Sequence, residues 1–134
     1  MLVASLGTPY EIQTDDTLLF LEDIAAKPYQ VDRMITQLRL AGKLRRVRGI
    51  IFGEMLECAQ PGGQDYTLQQ ILVRTLRGMN PDAPIVFGLK SGHVSSSNIT
   101  IPIGVEAEIT AGGSGVEIEI LESATEKQLL ASGF

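Results

Sequence analysis

The amino-acid sequence predicts an α/β fold with a mixed β-sheet, two main helices and a C-terminal antiparallel β-meander. In the first two thirds of the chain, short apolar runs alternate with segments whose apolar residues recur every three or four positions, as in strands alternating with amphipathic helices. In the last third, apolar and acidic residues alternate one by one, which is typical of antiparallel strands. With 134 residues, 44% of them hydrophobic, we expect a single domain over residues 1–134 with one core.

The chain begins with a segment that has no helical or strand period. Residues 1–16 contain Gly7-Thr8-Pro9 and the turn formers Thr14-Asp15-Asp16, so we expect loops and turns that resemble an interdomain linker. The apolar run of residues 17–21 then predicts a first strand that is buried on both faces.

Two helices and two further strands follow. Pro28 suits the first turn of a helix that ends at Gly42, and Thr67 suits the N-cap of a second helix that ends within residues 80–84. The apolar positions of the two helices are Val31, Met34, Ile35, Leu38 and Ala41, and then Leu68, Ile71, Leu72 and Leu76. Residues 47–52 and 85–87 predict the second and third strands. Between them, residues 53–64 predict an irregular loop with its turn at Pro61-Gly62-Gly63.

The remaining segments are a polar loop and a meander. Residues 88–98, "GLKSGHVSSSN", have no period and predict a loop, which holds the only histidine of the chain. Alternating isoleucines at 99, 101 and 103 precede two alternating segments, residues 105–111 and 116–120, which "GGSG" joins as a hairpin turn. Residues 123–134 predict a tail that is either a short polar helix or a frayed end.

Composition excludes several classes of function. The net charge of −5 and the short basic cluster at residues 43–48 argue against nucleic-acid binding, which needs many clustered cations. The single cysteine, Cys58, excludes an internal disulfide, and one cysteine with one histidine is too few for a zinc site. No apolar run is long enough for a membrane span, and the first residues lack the pattern of a signal peptide, which predicts a soluble, cytoplasmic chain without membrane partners.

Two acids and the histidine are the strongest candidates for chemistry. Glu22 and Asp23 directly follow the first predicted strand, and His93 follows the third. Ligands of open α/β sheets bind at the carboxyl ends of the strands, and a carboxylate beside an imidazole can fix its tautomer during proton transfer. The alternative is that the acids are solvated or cap a helix, and that His93 is an ordinary exposed loop residue. The residues alone leave both interpretations open.

A nucleophile for such a pair is not evident. Four serines flank His93, namely Ser91, Ser95, Ser96 and Ser97, and none lies in a Gly-x-Ser-x-Gly turn. We expect them to form the loop or to bind a ligand. The chain therefore offers a base and an orienting acid without a convincing nucleophile.

Several motifs in order along the chain resemble the C-terminal domain of the LD-carboxypeptidases, a serine peptidase family that includes murein tetrapeptide carboxypeptidases and microcin-immunity peptidases. They are "LVASLGTPYEI" (2–12), "LLFLEDI" (18–24), "KPYQVDRMITQLRLAG" (27–42), "VRGIIFGEM" (47–55) and "GHVSSSNITIPIGVEAEI" (92–109). The resemblance implies a swivelling β/β/α-like fold. It also implies a serine nucleophile on an N-terminal Rossmann-like domain, with Glu22 as the orienting acid, His93 as the general base, and Asp23 as a neighbour that binds nearby amides.

By this resemblance the family releases a terminal D-amino acid, typically D-alanine from peptidoglycan tetrapeptide during cytoplasmic recycling, without a metal or an organic cofactor. The implied partners are the N-terminal nucleophile domain, the peptide substrate and a second copy in a homodimer. Because no segment of this chain matches the nucleophile domain, we expect a truncated chain that is inactive alone. Residues 54–64 are a candidate recognition loop of unknown ligand. The alternatives are a microcin-type amide-cleaving immunity peptidase, or a non-enzymatic α/β domain that binds a peptide or regulates a partner.

Overall fold

The structure is a computed structural model that describes residues 2–59, 66–77, 82–113 and 115–125. Within these residues the elements are a 3-10 helix at Leu2–Ser5, strand β1 at Leu18–Leu21, helix α1 at Pro28–Leu40, strand β2 at Gly49–Gly53, helix α2 at Leu68–Arg77, and strands β3 at Ile85–Leu89, β4 at Ala107–Gly112 and β5 at Gly115–Ile120. The chain divides into two compact units, Met1–Ile99 and Thr100–Phe134.

The first unit contains a three-stranded parallel sheet in the order β1-β2-β3. The central strand β2 is buried at every residue, as expected for an apolar strand with a neighbour on each side. In β1 only Leu19 is buried, because β1 lies at the edge of this sheet. The prediction that the first strand is buried on both faces is therefore wrong for most of its residues.

Helix α1 begins and ends with specific backbone interactions. The Gln30 side chain accepts a hydrogen bond from the Lys27 amide at 2.8 Å, and Pro28 occupies the first turn, where no amide hydrogen is needed. At the other end Gly42 has φ +77°, and the amides of Gly42 and Lys43 donate back to Arg39 and Leu38. This is a Schellman motif, so the predicted stop at Gly42 is confirmed.

Helix α2 begins with the predicted cap. The Gln70 amide donates to Thr67 Oγ1 and the Thr67 amide donates to Gln70 Oε1, which forms a reciprocal capping box. The helix packs beside α1, where Thr75 Oγ1 donates to Asp32 Oδ1 at 3.0 Å. The predicted helix end at residues 80–84 lies partly outside the described residues, and the predicted turn at residues 61–63 lies wholly outside them.

One apolar core holds the sheet and the helices together. Its buried members come from β1, α1, β2, α2 and the segments beside them: Leu19, Val31, Ile35, Leu38, Leu44, Val47, Ile50, Phe52, Met55, Cys58, Leu68, Leu72 and Leu76. Phe52 is fully buried and stacks on Phe87 with ring centroids 4.9 Å apart. A core of this kind holds the carboxyl ends of β1, β2 and β3 at fixed positions.

The second unit contains an antiparallel hairpin. Strands β4 and β5 pair from Ala107 opposite Ile120 to Gly112 opposite Gly115, so the predicted hairpin is confirmed. Residues 99–106 form no strand, although isoleucines alternate there. Pro102 cannot donate to a strand ladder, and Gly104 turns the backbone with φ +79°. The predicted tail is described only to residue 125.

The predicted α/β class with two main helices is confirmed. Its strands are arranged differently in detail, since the described strands form a parallel sheet and a separate antiparallel pair, not one mixed sheet. The parallel pairings follow from the helical crossovers between β1, β2 and β3, whereas β4 and β5 are joined by a tight turn and pair with each other. Among the described residues, no helix has the length and apolarity to cross a membrane.

Candidate functional site

Three polar segments meet at the carboxyl edge of the parallel sheet. Glu22 follows β1, Glu54 follows β2, and the loop of residues 90–98 follows β3. Because neighbouring parallel strands end at the same edge, residues far apart in sequence are brought together there. The edge thus collects two carboxylates and the histidine.

Glu22 and His93 are in direct contact. His93 Nδ1 lies 3.0 Å from Glu22 Oε1 and 3.2 Å from Glu22 Oε2, and the His93 backbone amide donates to Glu22 Oε1 at 3.1 Å. The Glu22 side chain is 14% exposed and the His93 side chain is 59% exposed. The carboxylate is thus mostly enclosed, and the ring that it holds faces solvent.

This contact defines the tautomer of the imidazole. A carboxylate has only acceptor oxygens, so Nδ1 carries the hydrogen and donates it, and Nε2 of the neutral ring is left as an acceptor. Within the described part of the chain, His93 Nε2 has no hydrogen-bond partner. A neutral ring in this tautomer can accept a proton at Nε2.

Two glycines make room for the Glu22 side chain. A Cβ atom at Gly53 would lie 2.7 Å from Glu22 Cγ, and a Cβ atom at Gly92 would lie 2.8 Å from Glu22 Cδ, Cγ and Oε2. Both positions exclude any larger residue while Glu22 keeps its conformation. Gly92 also has φ +97°, a backbone conformation that L-residues rarely adopt. Neither glycine was predicted from the sequence as part of the site. In the sequence, Gly53 is marked only by its position at the end of a predicted strand, and Gly92 only by its position next to His93.

A β-bulge lies just before the histidine loop. Phe52 pairs with Phe87 and Gly53 pairs with Leu89, so Gly88 is an extra residue in β3, and its φ is +92°. A bulge of this kind bends the strand and redirects the chain beyond it. Here it precedes the loop that carries His93 to Glu22.

Glu54 makes a second connection to the same loop. Its Oε2 accepts a hydrogen bond from the Ser95 amide at 2.8 Å, and its Oε1 accepts one from Ser95 Oγ at 2.7 Å. These two hydrogen bonds, with the positive charge of Lys90 nearby, lower the pKa of Glu54 below its usual value. Sequence reasoning placed Glu54 only at the start of a candidate recognition loop, and that loop is described only to residue 59.

Asp23 has a different environment from Glu22. Its Oδ1 accepts a hydrogen bond from the Ile24 amide at 2.8 Å, and its backbone oxygen lies 3.6 Å from Cys58 Sγ as an acceptor. The carboxylate thus binds a loop amide, and it makes no hydrogen bond to His93 among the described residues.

Burial is the main reason that the pKa of the Cys58 thiol is raised.

The flanking serines do not supply a nucleophile to this pair. Ser91 is buried, Ser95 donates to Glu54, Ser96 Oγ accepts from Lys90 Nζ at 2.8 Å, and Ser97 is exposed. In the described residues no serine hydroxyl hydrogen-bonds to the His93 ring. The same residues contain no group of three His, Cys, Asp or Glu side chains that could hold a metal ion.

A cavity of about 470 Å³ opens beside the pair. Glu22, Asp23 and His93 are its polar lining residues, and the other lining residues are apolar, with Leu21 from β1 and Met34 from α1 among them. Cavities of this size and character commonly receive small organic groups.

Comparisons with known proteins agree on one family. The model of the LD-carboxypeptidase C-terminal domain matches residues 1–109. A Bacillus subtilis (strain 168) protein named "Probable murein peptide carboxypeptidase" is 38% identical over 120 residues, which are 89% of this chain and 37% of that protein.

Solved structures agree with the fold. Muramoyltetrapeptide carboxypeptidase from Oxalobacter formigenes matches with a TM-score of 0.77 and 29% identity, over 90% of this chain and 41% of that chain. The microcin C7 self immunity protein MccF, solved in complex with glutamyl sulfamoyl guanosine, shares the fold with a TM-score of 0.58 and 23% identity, over 67% of this chain and 26% of that chain. The chain spans about a third of the length of the curated relatives it matches. On the family match and the similarity to the Bacillus protein, the chain belongs to the LD-carboxypeptidase C-terminal domain family.

Proposed function

We propose that this chain supplies the general base and the orienting acid of a Ser-Glu-His triad in an L,D-carboxypeptidase. His93 is the base and Glu22 is the acid. The enzyme would release a terminal D-amino acid, typically D-alanine, from a peptidoglycan tetrapeptide in cytoplasmic recycling. The observation that carries the proposal is the contact of Glu22 Oε1 with His93 Nδ1 at 3.0 Å.

The chemistry follows from the free ring nitrogen. A serine hydroxyl placed at His93 Nε2 gives its proton to the ring as its oxygen attacks the carbonyl carbon of the terminal peptide bond. His93 then passes the proton from Nε2 to the nitrogen of the departing D-amino acid, and an acyl-serine remains. A water molecule then gives a proton to His93 Nε2 as its oxygen attacks the carbonyl carbon of the acyl-serine. Nε2 passes that proton to the serine oxygen as the shortened peptide leaves, which restores the free hydroxyl. Glu22 stabilises the imidazolium in each step through Nδ1, and no step calls on a metal or an organic cofactor.

The nucleophile is proposed to come from another domain. Ser91 is buried, and Ser95 and Ser96 have other partners. Within the described residues none of the four flanking serines hydrogen-bonds to the His93 ring, and the chain spans about a third of its relatives' length. The exposed side of the imidazole gives such a domain access to Nε2. Without the serine this chain is expected to hydrolyse nothing, since a base and an acid cannot form the acyl intermediate.

The murein-type substrate is preferred to a microcin-type substrate on the strength of the two similarities. The relative named for murein peptide is 38% identical over 89% of the chain, whereas the microcin immunity protein is 23% identical over 67% of it. A sequence identity of 23% supports a common fold only. The nucleophile domain and a second copy of the chain remain the proposed partners.

The test uses the natural protein that carries this chain, assayed for D-alanine release from murein tetrapeptide. We expect His93→Ala to lower kcat by about 10⁶-fold and Glu22→Gln by about 10⁴-fold, as for base and acid removal in other serine hydrolases. Asp23→Asn is the matched control, because it changes the adjacent acid, which does not touch the ring, and it should keep activity within about threefold.

Two outcomes would contradict the proposal. The first is full activity in His93→Ala, which would remove the proposed base from the mechanism and favour a non-enzymatic role for this domain. The second is an equal loss in Asp23→Asn and Glu22→Gln, because only Glu22 contacts the imidazole.

A further inference from the structure

The loop that carries His93 is tied to the sheet edge at more than one point. Glu22 accepts from the His93 amide, and Glu54 accepts from the Ser95 amide and hydroxyl. The two acids follow neighbouring strands, and their partners lie two residues apart on one loop. Each acid therefore fixes a different point of the same short segment.

Apart from these bonds, the loop is joined mainly to itself, and the Ile99 amide closes its base with a hydrogen bond to the Lys90 carbonyl at 2.7 Å. From Gly92 to Ser97 its residues are exposed or half-buried, and they contribute nothing to the apolar core. Within the loop, Asn98 Nδ2 donates to the Gly92 carbonyl at 3.1 Å and Lys90 Nζ donates to Ser96 Oγ at 2.8 Å. These contacts shape the loop, whereas Glu22 and Glu54 attach it to the ends of β1 and β2.

Glu54 is suited to this attachment. It directly follows Gly53, the last residue of the fully buried strand β2, so its backbone is fixed by the core. Both of its carboxylate oxygens are used, one for the backbone and one for the side chain of Ser95. Hydrogen bonds to an ionised acceptor are roughly twice as strong as those between neutral groups.

We propose that Glu54 is a positioning residue for His93, which it holds in place through Ser95. This inference rests on the proposed function and extends it by one residue. Glu22 sets the tautomer and the tilt of the ring from Nδ1. Glu54 sets the position of the loop backbone, and with it the place that Nε2 occupies relative to an incoming serine.

The expected effect is on turnover and not on binding. A displacement of about 1 Å in a catalytic group can cost about 10²-fold in rate. In the natural protein, we expect Glu54→Ala to lower kcat for murein tetrapeptide by about 30- to 100-fold, with KM changed by less than about threefold. Glu54→Gln keeps an acceptor oxygen and should recover kcat to within about tenfold of the wild type.

A pair of serine variants provides a matched comparison on the loop itself. Ser95→Ala removes the hydroxyl bond to Glu54 and keeps the amide bond, so kcat should fall by about three- to tenfold. Ser96→Ala removes a neighbouring hydroxyl that faces Lys90 instead, and kcat should stay within about twofold. If Glu54→Ala does not fold, the difference in kcat between Ser95→Ala and Ser96→Ala still tests the positioning role of Glu54.

The results separate this inference from the proposed function. If His93→Ala is inactive while folded Glu54→Ala keeps wild-type kcat, or loses activity only through KM, the positioning role is overturned and the proposed function stands. If His93→Ala is active, the proposed function itself fails. Equal kcat values in Ser95→Ala and Ser96→Ala would also overturn the positioning role.

Discussion

Replacing Gly92 with alanine should remove most of the activity of the natural protein while costing it only modest stability. The added Cβ would lie 2.8 Å from three atoms of Glu22, whereas ordinary contacts begin near 3.4 Å. The Glu22 carboxylate must therefore retreat by about 0.6 Å from the loop that carries His93. A retreat of that size is enough to lengthen the 3.0 Å contact with His93 Nδ1 beyond hydrogen-bonding distance.

The two costs of Gly92→Ala have different magnitudes. Because the end of a glutamate side chain can move, the clash itself adds little to the free energy of unfolding, and the main stability cost is the alanine at φ +97°, about 1–3 kcal/mol. The activity cost is larger, since the displaced group is the one that orients the proposed base. We expect kcat to fall by about 10²- to 10⁴-fold, approaching the effect of Glu22→Gln.

Gly104 supplies the control for this experiment. It also has a positive φ, +79°, but a Cβ there would meet no atom within 4 Å. Gly104→Ala should therefore lower the free energy of unfolding in urea by a similar amount, about 1–3 kcal/mol, and keep kcat within about fivefold. A wild-type kcat in Gly92→Ala would show that the space left by Gly92 does not matter for Glu22. An equal loss of kcat in both variants would mean that backbone strain, and not the contact with Glu22, lowers kcat.

Two further predictions concern groups away from the reacting atoms. The Gly7 amide and the Lys43 ammonium hold the pKa of Glu11 below its ordinary value of 4.5, so the interaction stabilises the fold above that pH and is lost as pH falls through the lowered value. Glu11→Gln should thus lower the urea midpoint at about pH 7 and leave it unchanged at about pH 2, and an equal change at both would contradict the ion pair's role. Burial raises the pKa of the Cys58 thiol, so less of the reactive thiolate is present in the folded protein. At about pH 7.5, iodoacetamide should alkylate Cys58 at least about tenfold more slowly in the folded than in the urea-unfolded protein. Mass spectrometry of the peptide that contains Cys58 measures the two rates. Equal rates would mean that the thiol is accessible.

Elements set by local chemistry could be predicted from the sequence. Both helices have caps made by residues within a few positions of their ends, such as Thr67 with Gln70, and apolar residues at helical spacing face the core. Residues 99–103 do not form the strand that their sequence pattern predicts. Their isoleucines alternate as in a strand, but the missing amide hydrogen of Pro102 and the turn at Gly104 have a larger effect than the alternation.

The site was predictable only as far as strand ends can be recognised. Glu22 and His93 could be paired because each follows a predicted strand, and parallel strands end at one edge. The close approach of Gly53 and Gly92 to Glu22 could not be predicted in this way. It depends on the exact register of β1 against β2 and on the bulge at Gly88. The contact of Glu54 with Ser95 depends on the same geometry, because 41 residues separate the two.

The different exposures of the acid and the base suit a triad whose nucleophile arrives from elsewhere. His93 must be accessible for a serine to reach Nε2, but an exposed loop residue alone would sample many orientations, and each would lower the fraction of productive encounters. The enclosed Glu22 limits that freedom through its contact with Nδ1, and the two glycines leave the space that this conformation of Glu22 occupies. On the proposed function, docking of the nucleophile domain then needs no rearrangement of the acid or the base. On the same proposal, we expect the residues that affect the rate to include Gly53 and Gly92, whose contribution is the space they leave for Glu22.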